Sequence, residues 1–235
     1  MRRGGWDESA GAWIERVDTG DWLRENVLDH AMLSAVGDVK GRRILDLGCG
    51  EGRFARMLKA RGALVTACDY TPRLAARAKE RTGSLPVCVA DGTALPYASG
   101  SFQQVVTYLV LLDIPQFEEA IRESYRVLSP GGTHLDAHLL PFRTASDLPW
   151  VRDETGKKLH VPVEDYTQTR EVVLDWAGIR IVNFHRSLSS YLNAFLAAGF
   201  VLRRFEEPVP AADREVDPID RKVPLGMVTE WQKPE

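Results

Sequence analysis

Three aspartates stand at the ends of short apolar runs: Asp46 in Ile44-Leu-Asp-Leu47, Asp69 after Leu64-Val-Thr-Ala-Cys68, and Asp91 after Pro86-Val-Cys-Val-Ala90. Between the first two lies Gly48-Cys-Gly50-Glu-Gly52, followed by an amphipathic run with Phe54, Met57 and Leu58. The pattern predicts strand, tight turn and helix. Glycines at alternate positions allow positive φ and remove the Cβ atoms that would keep a ligand off the turn. A helix opening near Glu51 aims free N–H groups at that ligand. Asp46, inside the strand end, would repel a pyrophosphate and welcome a cationic amine. Asp69, 19 residues beyond Gly50, falls where a doubly wound sheet puts the carboxylate that accepts hydrogen bonds from both ribose hydroxyls. The glycines read G-x-G-x-G, whereas a dinucleotide site wants G-x-G-x-x-G. The chemistry on offer is the capture of a nucleoside that carries a cationic end.

Asp46-Leu-Gly48-Cys-Gly50-Glu-Gly52 is similar to the first motif of class I S-adenosylmethionine (SAM) dependent methyltransferases. Asp69, Asp91-Gly92, the loop and aromatic before Phe102, and Tyr125-Arg-Val-Leu-Ser-Pro-Gly-Gly132 also match in order. The resemblance covers roughly residues 41–140. It implies a Rossmann-like α/β fold: a seven-stranded, mostly parallel sheet with helices on both faces and the last strand antiparallel. It implies SAM as cofactor and S-adenosyl-L-homocysteine as product. Gly48, Cys49 and Gly50 would then hold the methionine moiety, with Asp46 ordering its amine. Asp91 and Gly92 would receive the adenine, Tyr70 would lie against adenine or pack on the next helix, and Tyr108 would close the cofactor site at the end of the fourth strand. One departure is Gln103-Gln104, where the family usually carries aspartate, which puts the polar bonding at that strand's start in doubt.

SAM brings a methyl group that is already activated, so the protein's task is to align an acceptor and remove its proton. Histidine is the natural base near neutral pH. His138 lies nearest the C-terminal end of the fifth strand, and His185 stands in a His-Arg-x-Leu-x-x-Tyr phrase similar to those of small-molecule methyltransferases. Each also has an ordinary structural reading, as a packed or orienting histidine. His134, Asp136 and His138 share one strand face, but alternate residues about 6.6 Å apart converge poorly in a row, and no metal is expected. Trp150 and Tyr166 are candidates to line an acceptor pocket, and Arg186 to pair with an acceptor carboxylate.

The elements that must position these residues divide the chain of 235 residues into four parts. Residues 1–40 read as a helical arm whose tryptophans either roof the cofactor or staple the arm to the core, the second being the commoner use of such residues. Residues 41–140 form the cofactor core. Residues 141–186, with a hairpin turning at Ala177-Gly178, are an inserted substrate lid. Residues 187–235 complete the core with a helix and two strands. A helix over residues 114–128 and a fifth strand over 133–140 are predicted between them.

A net charge of −3 and a pI near 6.0 give no pull toward nucleic acid or an anionic membrane. No apolar run is long enough to span a bilayer and no secretory leader is readable, which leads us to expect a cytoplasmic monomer or homodimer acting on a small-molecule acceptor. Cys49, Cys68 and Cys88 are odd in number with no C-x-x-C pair, arguing against a disulfide framework and structural zinc. Methyl transfer to O, N or C of a small molecule is the expected function. An NAD-dependent oxidoreductase would share Gly48, Gly50 and Asp69, but the third glycine and a Tyr-x-x-x-Lys pair are missing. A non-catalytic SAM-binding regulator would keep the cofactor half.

Overall fold

The computed structural model describes residues 4–146 and 150–235. Pro149, part of the segment read as a lid, lies outside the described residues. The arm begins as α1 (Trp6–Asp18), passes through a π-helical turn (Arg24–Leu28) and continues as α2 (Asp29–Ala35). Short β-branched and apolar runs then alternate with amphipathic ones: β1 (Arg43–Leu47), α3 (Arg53–Ala60), β2 (Leu64–Asp69), α4 (Pro72–Thr82), β3 (Val87–Val89), β4 (Phe102–Tyr108), α5 (Phe117–Val127) and β5 (Leu128–Leu139). Alternation of this kind yields a parallel sheet covered on both faces. In β1, Ile44 points into the cluster beneath α2 and α3, whereas Leu45 and Leu47 point into the one beneath α5 and, later in the chain, α7 (Leu188–Ala197).

The segment between β5 and α7 carries α6 (Pro141–Thr144), the short strands β6 (Val151–Arg152) and β7 (Lys158–His160), and the hairpin β8 (Arg170–Trp176) and β9 (Ile179–His185). Ala177 and Gly178, at φ 48 and 78, form its two-residue turn, the geometry whose twist suits paired antiparallel strands. The strands β10 (Val201–Glu206) and β11 (Gly226–Gln232) complete one seven-stranded sheet of order β10-β11-β5-β4-β1-β2-β3. β11 runs antiparallel to both neighbours and the rest are parallel.

Two boundaries differ from expectation for local reasons. α5 starts at Phe117, not at residue 114, because Pro115 forces Ile114 into extended backbone at ψ 116. β5 starts at Leu128, not Thr133: Leu128 pairs with Phe102 and Thr133 with Gln104, so residues 129–132 loop out as a bulge. Both glutamines bond across the sheet, Gln103 Oε1 accepting from the Arg43 N–H at 3.0 Å and Gln104 Nε2 donating to Thr133 at 3.1 Å, while the buried Gln104 Oε1 has no hydrogen-bond partner. Among the described residues, no helix is long and apolar enough to cross a membrane, and no group of three or more His, Cys, Asp or Glu is placed to hold a metal ion.

Candidate active site

β1 and β4 lie side by side, yet the chain leaves them toward opposite edges of the sheet, which opens a crevice at their C-terminal ends. The glycine turn fills its floor. Gly48 and Cys49 donate their N–H groups to the Cys68 carbonyl at 2.8 and 2.9 Å. One Asp69 oxygen accepts from the Gly50 N–H and the other from the Thr71 N–H, both at 2.8 Å. Each carboxylate oxygen keeps acceptor capacity for a ribose hydroxyl. The glycines serve different neighbours: a Cβ on Gly48 would stand 2.5 Å from Val110 Cγ1, and one on Gly52 about 3.0 Å from Thr82 Cγ2 in α4. Only Gly50 faces open space, with Trp13 Nε1 at 4.0 Å. Ligand approach therefore depends on Gly50, while the other two glycines let the turn pack.

A cavity enclosing about 940 Å³ out to its open mouth runs from this turn along the ends of β2 and β4. Asp69, Tyr70, Asp91, Gly92 and Thr93 line one side. Asp91 is oriented by Thr93, whose N–H and hydroxyl donate to it at 3.0 and 2.8 Å. Trp6 and Trp13 roof the cavity as an edge-to-face pair with centroids 5.3 Å apart. These two arm tryptophans, expected mainly as staples, thus belong to the site, whereas Trp22 does not line it. They are brought there because α1 packs on both β9 and α4.

Beside the turn is a polar alcove lined by Asp46, Cys49, Gly50, Arg24, Arg53 and Tyr108, among others. Asp46 is buried and its Oδ2 has no hydrogen-bond partner. Burial, and then the nearby Asp69 and Glu51, push its carboxyl up to about 7. An orphaned buried carboxylate oxygen asks for a cationic donor. Arg24 stands opposite in character, its guanidinium 5.0 Å from the Trp13 ring centre and 5.6 Å from that of Tyr108, with only a 3.9 Å approach to Asp21. Tyr108 is fixed by donating to Asp29 at 3.0 Å, and Asp29 also accepts from Arg53 at 2.7 Å. The donor set fits an amino-acid end: Asp46 for the ammonium, Arg24 for the carboxylate.

At the other end of the cavity the chain reverses after β4. Leu109 takes a left-handed φ of 59, an unusual cost for a branched side chain, and a short 3₁₀ turn (Leu111–Asp113) follows. Asp113 lines the cavity and accepts hydrogen bonds from Asn183 Nδ2 of β9 and from the Trp6 side chain. Its burial outweighs both donors and pushes the carboxyl up to about 8. The arm is stitched to the same strand: Ser9 Oγ donates to the Arg180 carbonyl at 3.0 Å and accepts from its N–H at 2.9 Å, and Val182 N–H donates to Gly4 at 2.9 Å.

Asp46, Gly48, Cys49, Gly50, Asp69, Tyr70, Asp91, Gly92 and Tyr108 are therefore gathered on the cavity and its alcove. The residues expected to handle the acceptor do not line this cavity or its alcove. His138 is buried against Tyr191 with ring centres 4.1 Å apart, and burial followed by the Arg186 charge lowers it to about 3, leaving it neutral. His185 is fully buried, with Nε2 2.9 Å from the Tyr166 carbonyl and Nδ1 2.8 Å from the Thr144 hydroxyl. The carbonyl can only accept, so Nε2 carries the proton and the ring is occupied on both sides. Trp150 packs between Arg143 and Lys158, and Tyr166 accepts at its hydroxyl from the Leu188 N–H. Arg186 is engaged by the turn before α5. It donates to the carbonyls of Leu111, Ile114 and Pro115 at 3.2, 2.7 and 3.0 Å and lies 4.2 Å from the Phe117 ring centre. It thereby holds the turn that presents Asp113.

Arg24, Asp113 and Asn183 escaped the sequence reading, since none sits in a phrase that marks it. The available hint was an acid within an otherwise apolar segment, Leu111-Leu-Asp-Ile-Pro115, directly after β4.

The methyltransferase-domain family profile matches residues 45–135. A demethylmenaquinone methyltransferase of Streptomyces griseus is 34% identical over 154 residues, covering 63% of this chain and 67% of that protein. Its counterpart from Beutenbergia cavernae is 30% identical over 160 residues, covering 63% and 64%. The chain thus spans about two thirds of the length of these curated relatives. The crystal structure of a SAM-dependent methyltransferase from Mesorhizobium loti superposes with a TM-score of 0.78 at 26% identity, covering 91% of this chain and 99% of that one.

Proposed function

Because the chain belongs to the class I SAM-dependent methyltransferases, we propose that its cavity moves the methyl group of SAM onto a small, flat, largely apolar acceptor. The observation that carries this reading is that one cavity is lined both by the Gly48–Gly50 turn and by Trp6, Ile114 and Pro115, leaving room for an acceptor beside the cofactor. Bound SAM supplies an electrophilic methyl. Asp46 and Arg24 would hold its amino-acid end, Asp69 its ribose, and Asp91 with Gly92 its adenine. The tryptophan roof excludes water and sets the plane in which an acceptor lies.

The matched relatives are named for a demethylmenaquinone acceptor, and a flat hydroxylated ring of that quinol type suits aromatic walls. The roof and the hairpin lie outside the stretch that matches the family profile, so the ring's size and substituents belong to this chain's own residues.

The test is calorimetric titration with S-adenosylhomocysteine and, separately, NAD, in the wild type and in Asp69→Ala, followed by incubation with methyl-labelled SAM and reduced 1,4-naphthoquinone. Homocysteine-nucleoside binding weakened about 10- to 100-fold in the variant, with label in the naphthoquinol, is the expected result. Binding of NAD alone overturns the cofactor assignment. Tight S-adenosylhomocysteine binding with no label transferred to any ring acceptor overturns the acceptor class.

A further inference from the structure

Asp113 is the one acid on the cavity wall with no task toward the cofactor's amino-acid, ribose or adenine groups. A carboxylate taken out of water is costly unless it is well paired. The hydrogen-bond partners of Asp113 are two neutral donors, Asn183 and Trp6. They come from β9 and α1, two segments that meet only because the arm is stitched to the hairpin. In its ionised form a buried carboxylate held by neutral donors and open to a cavity retains lone pairs for a third donor, which a ligand in the cavity can supply.

We propose that Asp113 is the proton acceptor of the site, and that the acceptor molecule is one that presents a hydroxyl to it, a phenol- or enol-like ring. This rests on the methyl-transfer reading. As the hydroxyl proton passes to an Asp113 oxygen, the electron pair it leaves forms the new bond to the methyl carbon, and the carbon–sulfur pair stays on sulfur and discharges the sulfonium. Where the bond forms at the neighbouring ring carbon, the hydrogen displaced there moves to the ring oxygen. Asp113 ends neutral and returns its proton to water as the product leaves.

The charged and titratable groups around Asp113 are consistent with this task. Asp69 across the cavity holds its affinity for a proton up, Arg24 pulls it down, and Tyr191 of α7 feels the Asp113 charge from the other side. With its carboxyl raised to about 8, Asp113 is ionised in a growing share of molecules as the pH rises toward 8, and the ionised form is a far stronger base than an ordinary carboxylate. The competing assignment is a clamp that only fastens arm and hairpin to the turn.

The two are separated by binding rather than turnover. The full chain, saturated with S-adenosylhomocysteine, is titrated anaerobically with 1,4-dihydroxynaphthalene and with 1,4-dimethoxynaphthalene, which has the same ring and no O–H, at pH 6 and pH 8. A proton acceptor favours the diol by about tenfold, more at the higher pH, and Asp113→Asn erases that preference while S-adenosylhomocysteine affinity is kept. Equal binding of both probes by the wild type, or an unchanged preference in the variant, overturns the proposal. If Asp113→Asn fails to fold, Asn183→Leu decides: loss of a donor to the ionised form shifts the pH midpoint of the diol preference upward, and an unmoved midpoint overturns it. Absence of S-adenosylhomocysteine binding in the wild type would instead refute the methyl-transfer reading beneath it.

Discussion

The two walls of the cavity are built in different ways. The ribose and adenine side of the cofactor wall is made by close neighbours in the chain: Gly50 reaches Asp69 across 19 positions, and Asp91 and Thr93 bond across two. Its partners are backbone groups at strand ends, fixed by the sheet. The acceptor wall is assembled from distant segments, Asp113 with Asn183 across 70 positions and Ser9 with Arg180 across 171. A wall of the first kind is specified by a short motif and tolerates little. A wall of the second kind can be rebuilt by changing the hairpin or the Trp6 end of the arm, leaving Arg24, Trp13 and the glycine turn in place.

Gly48→Ala should blur the distinction most severely, because the added Cβ meets Val110 at 2.5 Å on a backbone of φ 73. Displacing Val110 disturbs both walls at once. A loss of about 3 kcal/mol in chemical denaturation, with S-adenosylhomocysteine binding gone, is the expected outcome.

Arg186→Met should sharpen it. Three carbonyls of the turn before α5 lose their donor, at a cost of about 2–3 kcal/mol. Diol affinity should fall at least about tenfold while S-adenosylhomocysteine affinity stays within about twofold, and equal losses in both would show that the walls are coupled.

Ser9→Ala removes the two bonds to Arg180 and should cost about 1 kcal/mol, raising KM for the acceptor with kcat little changed. The smallest effect is electrostatic. With the Asp46 carboxyl near 7 in the folded protein against an ordinary 3.8, the unfolded chain loses this proton first as pH rises. The contribution of Asp46 to stability therefore falls between about pH 4 and 7. A cationic amine seated on it should expel the proton, so calorimetry at pH 7 in buffers of different ionisation enthalpy should show release of a fraction of a proton on S-adenosylhomocysteine binding, absent in Asp46→Asn.

The same contrast governs what the sequence reveals. Gly48, Gly50 and Asp69 are legible because strand, turn and helix signals lie within a few residues and dictate their geometry. The hairpin at Ala177-Gly178 is legible for the same reason. His138 and His185 were expected at the acceptor because of residue type and place in the chain, yet burial against Tyr191 and the paired hydrogen bonds to Thr144 and Tyr166 depend on tertiary packing that no local pattern encodes. Asp113 is hidden for the converse reason. It looks like a stray acid in an apolar stretch until Asn183 and Trp6 arrive from the two ends of the chain.

The edge-to-face tryptophans over the cavity also give the molecule an optical gauge. Of its six tryptophans, Trp22 and Trp176 are already 39% and 37% exposed, and Trp150 and Trp231 are buried away from the cavity. Trp13 stands beside Gly50 at the cofactor end and Trp6 bonds to Asp113 at the acceptor end. Intrinsic fluorescence should therefore respond to each ligand through a different ring. With Trp13→Phe and Trp6→Phe as separate reporters, the order in which the two compartments fill becomes visible in a stopped-flow trace, with no label attached.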